Sequence, residues 1–312
     1  MTACMICLAA TEDGDYHQNC LDTLFGTKRL PRLDIELDQL SSVAARMAGK
    51  MSISGIQEKV SLALSSDRTV LRVAAAGGRY ILKPESSRFL FVPQNEHLTM
   101  RLATLMKIDV PPLGLLRLAD RSIAYIVKRF DRLDDGSKLH VEDFCQLSKK
   151  PLRDKYEGSA ELCVRLLRTH ATEPLIQVRD LYRLVLFGWW AANGDMHLKN
   201  FSVITRPDGR LCLSPAYDLV STRLVIPADD RLALPIGGRD RNLTRRTWLE
   251  FADYCQIPTS AAERLIAEQI RALKPAVALI DRSYLPDERK NQYEAILRDN
   301  TQVLAGGVAD SV

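Results

Sequence analysis

The sequence predicts a protein of mixed α and β structure with two lobes, a small β-rich lobe followed by a larger helical lobe. Three observations support this fold class. Short β-rich runs separated by turns fill the first half of the chain, helical periodicity dominates from about residue 141, and one hairpin interrupts the helical half. A chain of 312 residues is long enough for two lobes of common size.

The overall composition is that of an ordinary globular protein, with 46% hydrophobic and 26% charged residues. A net charge of +4 is too small to indicate nucleic-acid binding by electrostatics alone. No segment approaches the roughly 18 consecutive apolar residues of a membrane span, and the start MTACMICLAATEDGDYHQNC lacks the basic residues of a signal peptide. We therefore expect a cytoplasmic protein, and the seven clustered cysteines argue against a secreted disulfide framework.

The small lobe begins with three β-rich runs, VSLALSS, TVLRVAA and RYILKP, the last two separated by Gly77 and Gly78. Tight turns between such runs predict a meander of antiparallel strands. A helix is predicted over 95–107, whose leucines recur near helical spacing. After the break at Pro111 and Pro112, the runs LGLLRLA and SIAYIVKRF predict two further strands.

The helical lobe contains a predicted helix over 178–192 with an apolar stripe on one face. The hairpin that follows is predicted from FSVIT, a Pro-Asp-Gly turn and RLCLS, and it leads into PAYDLV. The predicted limits are 1–50 for an N-terminal segment, 51–131 for the β-rich lobe and 132–312 for the helical lobe. Clefts between two such lobes are common ligand sites.

The stretch AANGDMHLKNFSV places several polar residues directly after an aromatic helix. Because a hairpin brings its two ends together, Asp195, Asn200 and Asp218 are predicted to lie side by side at its base. Two carboxylates and an amide oxygen are hard ligands that suit Mg²⁺ better than zinc. Protein kinases use an Asp to orient the attacking hydroxyl and an Asn and a second Asp to hold magnesium. Ordinary polar residues that cap a helix and turn a hairpin are the alternative interpretation.

Two elements upstream fit the same chemistry. Lys83 ends the third β-rich run, where a kinase lysine contacts the ATP phosphates, and Glu96 in the next helix is a candidate ion-pair partner. The alternatives are a solvated lysine at a strand end and a glutamate favoured by the helix dipole. The loop MSISGIQEK, with Ser52, Ser54 and Gly55, precedes the first strand, and its small residues and N–H groups suit phosphate binding or a simple turn.

Taken in order, seven motifs resemble the HipA family of serine/threonine kinases, the toxins of bacterial toxin–antitoxin modules. They are SISGIQEK, YILKP, NEH, VKRFDR, HVEDFCQ, NGDMHLKNFSV and LSPAYDLVST. The SIS start and the short length are most similar to HipT, the kinase of three-gene modules. Long HipA proteins carry an extra N-terminal subdomain, for which about fifty residues here are too few, and in three-gene modules a separate small protein supplies it.

This resemblance implies a bilobal protein-kinase-like fold and an ATP- and Mg²⁺-dependent serine/threonine kinase. Asp195 would be the catalytic residue that positions the substrate hydroxyl, and Asn200 and Asp218 would hold Mg²⁺. The other implied nucleotide-site residues are Ser54, Gly55, Ile56, Gln57, Glu58 and Lys59 in the loop, Lys83, the hinge residues Lys128, Arg129 and Phe130, and His197, Lys199 and Tyr217. Autophosphorylation at Ser52 or Ser54 would switch the kinase off.

The resemblance also implies partners and a class of substrate. Characterised family substrates are aminoacyl-tRNA synthetases, and the implied partners are a HipB-like DNA-binding antitoxin and a small HipS-like protein. Two alternatives remain, a small-molecule kinase on a related bilobal scaffold and a catalytically inactive module that binds an antitoxin. The filled magnesium and lysine positions argue against the inactive module.

The N-terminal segment carries a separate motif, Cys4-x-x-Cys7 followed by His17-x-x-Cys20. Four nitrogen and sulfur ligands at this spacing are close to those of a small zinc knuckle, although the nine-residue gap between the pairs is shorter than in the usual finger. The alternative interpretation is that the cysteines are small apolar fillers and His17 is a surface residue.

Overall fold

The computed structural model describes residues 2–34, 59–85 and 89–306. The predicted phosphate-binding and autophosphorylation residues Ser52, Ser54, Gly55, Ile56, Gln57 and Glu58 lie outside the described residues. Among the described residues, no helix combines the length and the apolar composition that a membrane crossing requires. The chain divides into two compact units, of which the first comprises Met1–Leu98, Pro111–Ser137 and Asp281–Pro286 and the second comprises Thr99–Val110, Lys138–Ile280 and Asp287–Val312.

The described residues contain both helices and strands, and the predicted mixed fold class is confirmed. The strands are β1 Thr2–Ala3, β2 Ala10–Thr11, β3 Arg32–Asp34, β4 Val60–Leu64, β5 Val70–Val73, β6 Tyr80–Lys83, β7 Leu113–Arg117, β8 Ile123–Lys128, β9 Val141–Asp143, β10 Ser202–Thr205 and β11 Leu211–Leu213. The helices are α1 Gln18–Phe25, α2 Val92–Leu105, α3 Phe144–Leu147, α4 Ala160–His170, α5 Pro174–Trp190, α6 Arg245–Tyr254, α7 Thr259–Arg271, α8 Leu273–Asp281 and α9 Asp287–Ala305.

The first unit is built on a six-stranded sheet in the order β3-β5-β4-β6-β8-β7. All neighbouring strands are antiparallel except β3 and β5, which are parallel. One face of the sheet buries Leu62, Leu82 and Ile126 together with Leu24 and Phe25 of α1. The short α1 is therefore held in place by the core of the sheet.

The order of the first strands differs from the predicted meander, because β4 and not β5 lies in the middle. The edge of β5 away from β4 is already paired with β3, a three-residue strand whose sequence gives no alternating pattern. The run that forms β6 therefore pairs with the remaining edge of β4. Gly78 permits the crossing, since a Cβ there would collide with the Ser61 side chain and lie 3.1 Å from the carbonyl oxygen of Leu62.

The second unit is mainly helical and centres on α5, which begins at a proline, a residue suited to the first turn of a helix. This start lies four residues before the predicted one. Tyr182 of α5 donates a hydrogen bond to the carbonyl oxygen of Trp248 over 3.2 Å. Trp190 donates from Nε1 to the hydroxyl of Thr301 in α9 over 2.8 Å. These bonds satisfy the polar atoms of large aromatic side chains in the core.

The predicted hairpin is confirmed as β10 and β11, which pair in antiparallel register with Val203 opposite Leu213. The third strand of this sheet, β9, was missed by the sequence analysis. It pairs with the other edge of β10, with Asp143 opposite Ser202. The sheet therefore brings Asp143 next to the start of the hairpin.

Candidate active site

The first unit contains a buried ion pair between Lys83, at the end of β6, and Glu96 of α2. The Nζ and Oε1 atoms lie 2.5 Å apart, and the two side chains are 5% and 3% exposed. Nζ also lies 5.5 Å from the centre of the Tyr125 ring. Because a buried charge is costly without a partner, this geometry excludes the solvated lysine that was the alternative interpretation.

The predicted hinge residues Lys128, Arg129 and Phe130 follow one another at the end of β8 and are all half-buried. The backbone N–H of Arg129 donates to the carbonyl oxygen of Arg79 over 2.8 Å. The Arg129 guanidinium donates to both carboxylate oxygens of Asp131, over 2.9 and 2.8 Å. Burial, followed by the charge of Arg79, lowers the pKa of Lys128. A backbone hydrogen bond and the ion pair of Arg129 thus hold this segment in place. Lys59, another predicted nucleotide-site residue, is half-buried just before β4.

Asp195 lies in the second unit, in the loop that follows α5. Its side chain is exposed, and its backbone N–H donates to the side-chain oxygen of the buried Asn193 over 3.2 Å. Gly194 packs tightly against the loop that carries Asp229, because an added Cβ would collide with that carboxylate. The position of the exposed carboxylate is therefore set by buried neighbours on its N-terminal side.

Asn200 ends a short 3-10 turn, Leu198–Asn200. Its side-chain Oδ1 accepts a hydrogen bond from the backbone N–H of His197 over 3.1 Å, and its own N–H donates to the His197 carbonyl oxygen over 2.9 Å. The Asn200 side chain is buried. The amide oxygen keeps a second lone pair for a ligand, since a carbonyl oxygen has two.

Tyr217 ties the two ends of the hairpin together. Its hydroxyl donates to the carbonyl oxygen of Lys199 over 2.8 Å and lies 2.6 Å from the hydroxyl of Ser202. The next residue, Asp218, has a backbone φ of 55°, a left-handed conformation that Asp and Asn tolerate better than most side chains. The backbone conformation at this position thus favours a small group of residue types, and Asp218, the predicted magnesium ligand, belongs to that group.

His197 is buried between the two acidic positions. Burial lowers the pKa of His197, and the nearby carboxylates of Asp195 and Asp218 oppose that shift only in part. The hydrogen bond between Tyr217 and Lys199, the neighbours of Asp218 and Asn200, places both residues at the base of the hairpin, and Asp195 precedes Asn200 in the same loop. The roles of the three residues stay a prediction.

Lys199 is directed at Asp143 of β9, with Nζ and Oδ2 2.6 Å apart and side chains 21% and 14% exposed. Asp143 also accepts from the backbone N–H of Gln146 as the N-cap of α3. The charge of Lys199 is thus balanced by a carboxylate that sequence reasoning did not connect with it, because the pairing depends on the unpredicted strand β9.

Tyr156 is a site residue that the sequence analysis missed. Its hydroxyl donates a hydrogen bond to Asp195 Oδ1 over 2.7 Å, and its ring lies edge-on to His197 with ring centres 5.1 Å apart. Burial, followed by the bond to Asp195, raises the pKa of Tyr156, so the hydroxyl remains a proton donor. The available signal was a single aromatic residue in the otherwise polar stretch RDKYEGS.

A groove of about 620 Å³ lies elsewhere in the second unit and includes none of the predicted site residues. Its wall carries the arginines Arg179, Arg183, Arg206 and Arg210. Each of these arginines lies within 4 Å of a carboxylate. The groove is therefore not an unbalanced basic surface, and the candidate site remains at the base of the hairpin.

Comparison with known proteins gives the family of this fold and site. The profile of the HipA-like C-terminal domain matches residues 51–277. "Putative kinase Y4mE" of Sinorhizobium fredii is 32% identical over 241 residues, which are 74% of this chain and 57% of that protein. A "Putative kinase" of Haemophilus influenzae is 30% identical over 225 residues, 67% of this chain and 64% of that protein. The chain thus spans less than two thirds of the length of these relatives.

Two solved structures share the fold. A chain in the toxin–antitoxin complex of HipA, HipB and operator DNA from Shewanella oneidensis aligns with a TM-score of 0.70 and 23% identity, over 83% of this chain and 66% of that one. The Helicobacter pylori proinflammatory kinase CtkA aligns with a TM-score of 0.57 and 13% identity, over 82% of this chain and 92% of that one. The predicted kinase-like fold is confirmed, and with most of its length matched by the family profile the chain belongs to the HipA-like C-terminal domain family.

Proposed function

We propose that the chain is an ATP- and Mg²⁺-dependent serine/threonine protein kinase and the toxin of a HipA-type toxin–antitoxin system. The observation that carries this proposal is the gathering of Asp195, Asn200 and Asp218 at the base of the β10–β11 hairpin. Tyr217 joins the two ends of that hairpin, because its hydroxyl donates to the carbonyl oxygen of Lys199 over 2.8 Å. This is the set of groups that phosphoryl transfer from ATP to a hydroxyl requires.

Asp195 orients the attacking hydroxyl of the substrate and accepts its proton. The carboxylate is exposed to an incoming side chain, while its backbone is fixed by Asn193. An ionised carboxylate offers about four lone-pair sites, so Asp195 can hold the substrate hydroxyl and Tyr156 at the same time. Catalysis in this scheme consists of positioning and charge stabilisation.

Asn200 and Asp218 would hold Mg²⁺, and the donor set fits this ion because both side chains offer hard oxygen ligands. Bound magnesium supplies neutralisation of the phosphate charge during transfer. The hydrogen bond from the His197 N–H fixes Asn200 Oδ1 over 3.1 Å. Tyr217, the residue before Asp218, is held in place because its hydroxyl donates to the carbonyl oxygen of Lys199 over 2.8 Å.

Lys83 binds the ATP phosphates in this proposal, and Glu96 holds its ammonium group in place. The remaining nucleotide contacts are assigned to Lys59, to the hinge residues Lys128, Arg129 and Phe130, and to His197, Lys199 and Tyr217. The loop of Ser54, Gly55, Ile56, Gln57 and Glu58 covers the phosphates, and Ser52 or Ser54 is the site of autophosphorylation.

The proposed partners follow from the family. The Shewanella oneidensis structure contains HipA together with HipB and operator DNA, which supports a HipB-like antitoxin for this chain. The proposal includes a small HipS-like protein as a further partner and an aminoacyl-tRNA synthetase as the substrate. It also includes a cytoplasmic location and the domain limits 1–50, 51–131 and 132–312.

Mass spectrometry of the purified chain after incubation with Mg-ATP tests the proposal. A phosphoryl group on Ser52 or Ser54 is expected in the wild type. Its rate of appearance should fall by about 10² to 10⁴ in Asp195→Asn, the usual contribution of a catalytic acid or base. Asp208→Asn, which changes an exposed carboxylate in the hairpin turn, is the matched control and should keep the wild-type rate.

Each alternative predicts a different result. A small-molecule kinase would bind Mg-ATP but leave both serines unmodified. A catalytically inactive module would show no Mg-ATP binding in a titration. Full transfer in Asp195→Asn would show that the assignment of the catalytic residue is wrong.

A further inference from the structure

The N-terminal part of the first unit gathers four potential metal ligands that the proposed kinase chemistry does not use. One ligand atom from each of Cys4, Cys7, His17 and Cys20 lies within 4.8 Å of all the others. His17 Nδ1 is 3.3 Å from the sulfur of Cys7 and 3.9 Å from that of Cys20. Zinc bonds of about 2.3 Å to sulfur and about 2.0 Å to nitrogen give tetrahedral edges of roughly 3.5–3.8 Å. The two distances from His17 to the sulfurs lie close to these edges, and the 4.8 Å limit on the whole cluster leaves about 1 Å for the ligands to close on the metal.

The orientation of His17 suits a metal ligand. Its Nε2 lies 3.0 Å from the carbonyl oxygen of Ala10, and because a carbonyl can only accept, Nε2 carries the proton. The lone pair of Nδ1 is then directed at the cysteine sulfurs, as in sites where a carbonyl fixes the tautomer of a metal-binding histidine. The backbone N–H of His17 also donates to the sulfur of Cys4 over 3.4 Å, which favours a thiolate there.

The strand pairing around the cluster is short, and backbone hydrogen bonds from Cys4 to Ala9 and from Met5 to Asp15 supplement it. The two-residue strands β1 and β2 pair only as Thr2 with Thr11 and Ala3 with Ala10, and so small a ribbon is not stable by itself. Between them, Leu8 has a φ of 63°, a conformation that persists for such a side chain only where its surroundings impose it. A metal bound by these residues would add a further link between the turn of Cys4 and Cys7 and the start of helix α1, where His17 and Cys20 lie.

We propose that Cys4, Cys7, His17 and Cys20 bind one structural Zn²⁺ ion, and that this ion fixes the Met5–Ile6 backbone against strand β7 and helix α2. A disulfide would engage only two of the three sulfurs and leave His17 unused. None of the seven cysteines forms a disulfide, and zinc engages all four side chains of the cluster with the ligand types it prefers.

Strand β7 is at the edge of the six-stranded sheet, and the zinc-binding segment covers it. The N–H of Leu115 donates to the carbonyl oxygen of Met5 over 2.8 Å, and the hydroxyl of Tyr16 donates to the Leu115 carbonyl oxygen over 3.0 Å. Gly114 permits this approach, because a Cβ there would lie 2.8 Å from the Ile6 side chain. Both backbone groups of Leu115 are thereby satisfied by residues beside the metal ligands.

Helix α2 contacts the same segment through His97, whose Nε2 lies 3.0 Å from the carbonyl oxygen of Ile6. The preceding residue, Glu96, forms the buried ion pair with Lys83. His97 is therefore a positioning residue that connects the zinc-bound segment to the helix carrying Glu96. The effect on nucleotide binding rests on the proposed kinase function, whereas zinc binding itself does not.

Metal content decides the first half of the proposal. Untagged protein purified under reducing conditions is expected to contain one zinc ion per chain, measured by inductively coupled plasma mass spectrometry. Cys7→Ser and Cys20→Ser should lose most of it, whereas Cys212→Ser, a half-buried thiol of β11, should keep it. Wild-type zinc well below one per chain, or equal loss in Cys212→Ser, would overturn the site.

A second measurement covers the case in which the cysteine variants do not fold. Cobalt added to metal-stripped wild-type protein should produce the visible absorption of a tetrahedral thiolate site, and added zinc should abolish it. Absorption of octahedral cobalt alone would contradict the ligand set.

The positioning role of His97 is tested by nucleotide affinity in the zinc-loaded chain. His97→Ala should keep zinc and bind Mg-ATP about fivefold more weakly, the effect of losing one ordinary hydrogen bond. His97→Gln, which retains a donor, should recover part of the affinity. Unchanged affinity in His97→Ala would overturn the positioning role, while failure of the wild type to bind Mg-ATP would overturn the kinase proposal and leave the zinc count intact.

Discussion

The hydroxyl of Tyr156 donates a hydrogen bond to Asp195 Oδ1 over 2.7 Å, although the two residues are 39 positions apart in the sequence. The segment around Tyr156 is itself fixed to the loop of Asp195, since the N–H of Leu198 donates to the carbonyl oxygen of Lys155 over 3.0 Å. A Cβ on Gly158 would lie 3.0 Å from the Leu198 side chain, so this contact is close. Tyr156 therefore orients the proposed catalytic carboxylate.

Tyr156→Phe is expected to lower kcat for phosphoryl transfer about tenfold, because a hydrogen bond to a charged group contributes about 1.5–3 kcal/mol and this one is partly exposed to solvent. The KM for ATP should stay unchanged, since the hydroxyl contacts Asp195 and not Lys83, the lysine proposed to bind the nucleotide. Tyr254→Phe, a change at another partly exposed tyrosine, is the control. A rise in kcat would instead mean that the Tyr156 hydroxyl competes with the substrate for Asp195.

The buried pair of Lys83 and Glu96 predicts a non-additive effect on stability. Lys83→Met and Glu96→Leu should each lower the free energy of unfolding by about 3–5 kcal/mol, because each leaves one charge in a buried position. The double variant should lose less than either single variant, since no charge then remains at the pair. Urea denaturation measures all four proteins, and additive losses would contradict the coupling.

Asp218 allows charge and backbone to be separated. Asn tolerates the left-handed conformation at φ 55°, whereas Ala in that conformation costs about 1 kcal/mol or more. Asp218→Asn and Asp218→Ala should therefore both lose phosphoryl transfer, but Asp218→Ala should also be less stable than Asp218→Asn by about 1 kcal/mol. Thermal unfolding and a transfer assay on both variants check this, and equal stabilities would contradict the backbone argument.

Gly194→Ala is expected to destabilise the protein by about 1–3 kcal/mol, the usual effect of overpacking. The added methyl group would collide with the Asp229 carboxylate and lie 2.8 Å from the Arg231 carbonyl oxygen. Because Asp195 follows directly, kcat should fall as well. Gly136→Ala, in a turn with no atom within 4 Å of the added Cβ, should lose some stability through its positive φ but keep its activity.

Local patterns in the sequence were sufficient for part of the site. The base of the hairpin follows from antiparallel geometry, so the neighbourhood of Asn200 and Asp218 was predictable from two β-rich runs and one turn. The ion pair of Lys83 and Glu96 was predictable in the same way, because a strand and the next helix present both residues. The gathering of the four proposed zinc ligands required only that two short motifs meet across one turn.

Contacts between distant or very short elements were not predictable. Strands β3 and β9 have three residues each, which is too few for an alternating pattern. Both strands nevertheless determine how neighbouring strands and side chains pair. β3 occupies an edge of β5 and moves β4 to the centre, while β9 brings Asp143 to Lys199. Tyr156 reaches Asp195 only through the packing of a loop, and no spacing in the sequence encodes that contact.

The contact between Tyr16 and Leu115 spans 99 residues of sequence. At a synthesis rate of about 5–20 residues per second, Leu115 leaves the ribosome roughly 5–20 s after Tyr16. During that interval the three cysteines near the start of the chain have no strand β7 to pack on. If the proposed zinc site forms, the nascent chain thus has a time window in which its Cys and His ligands are accessible to the metal before strand β7 covers them.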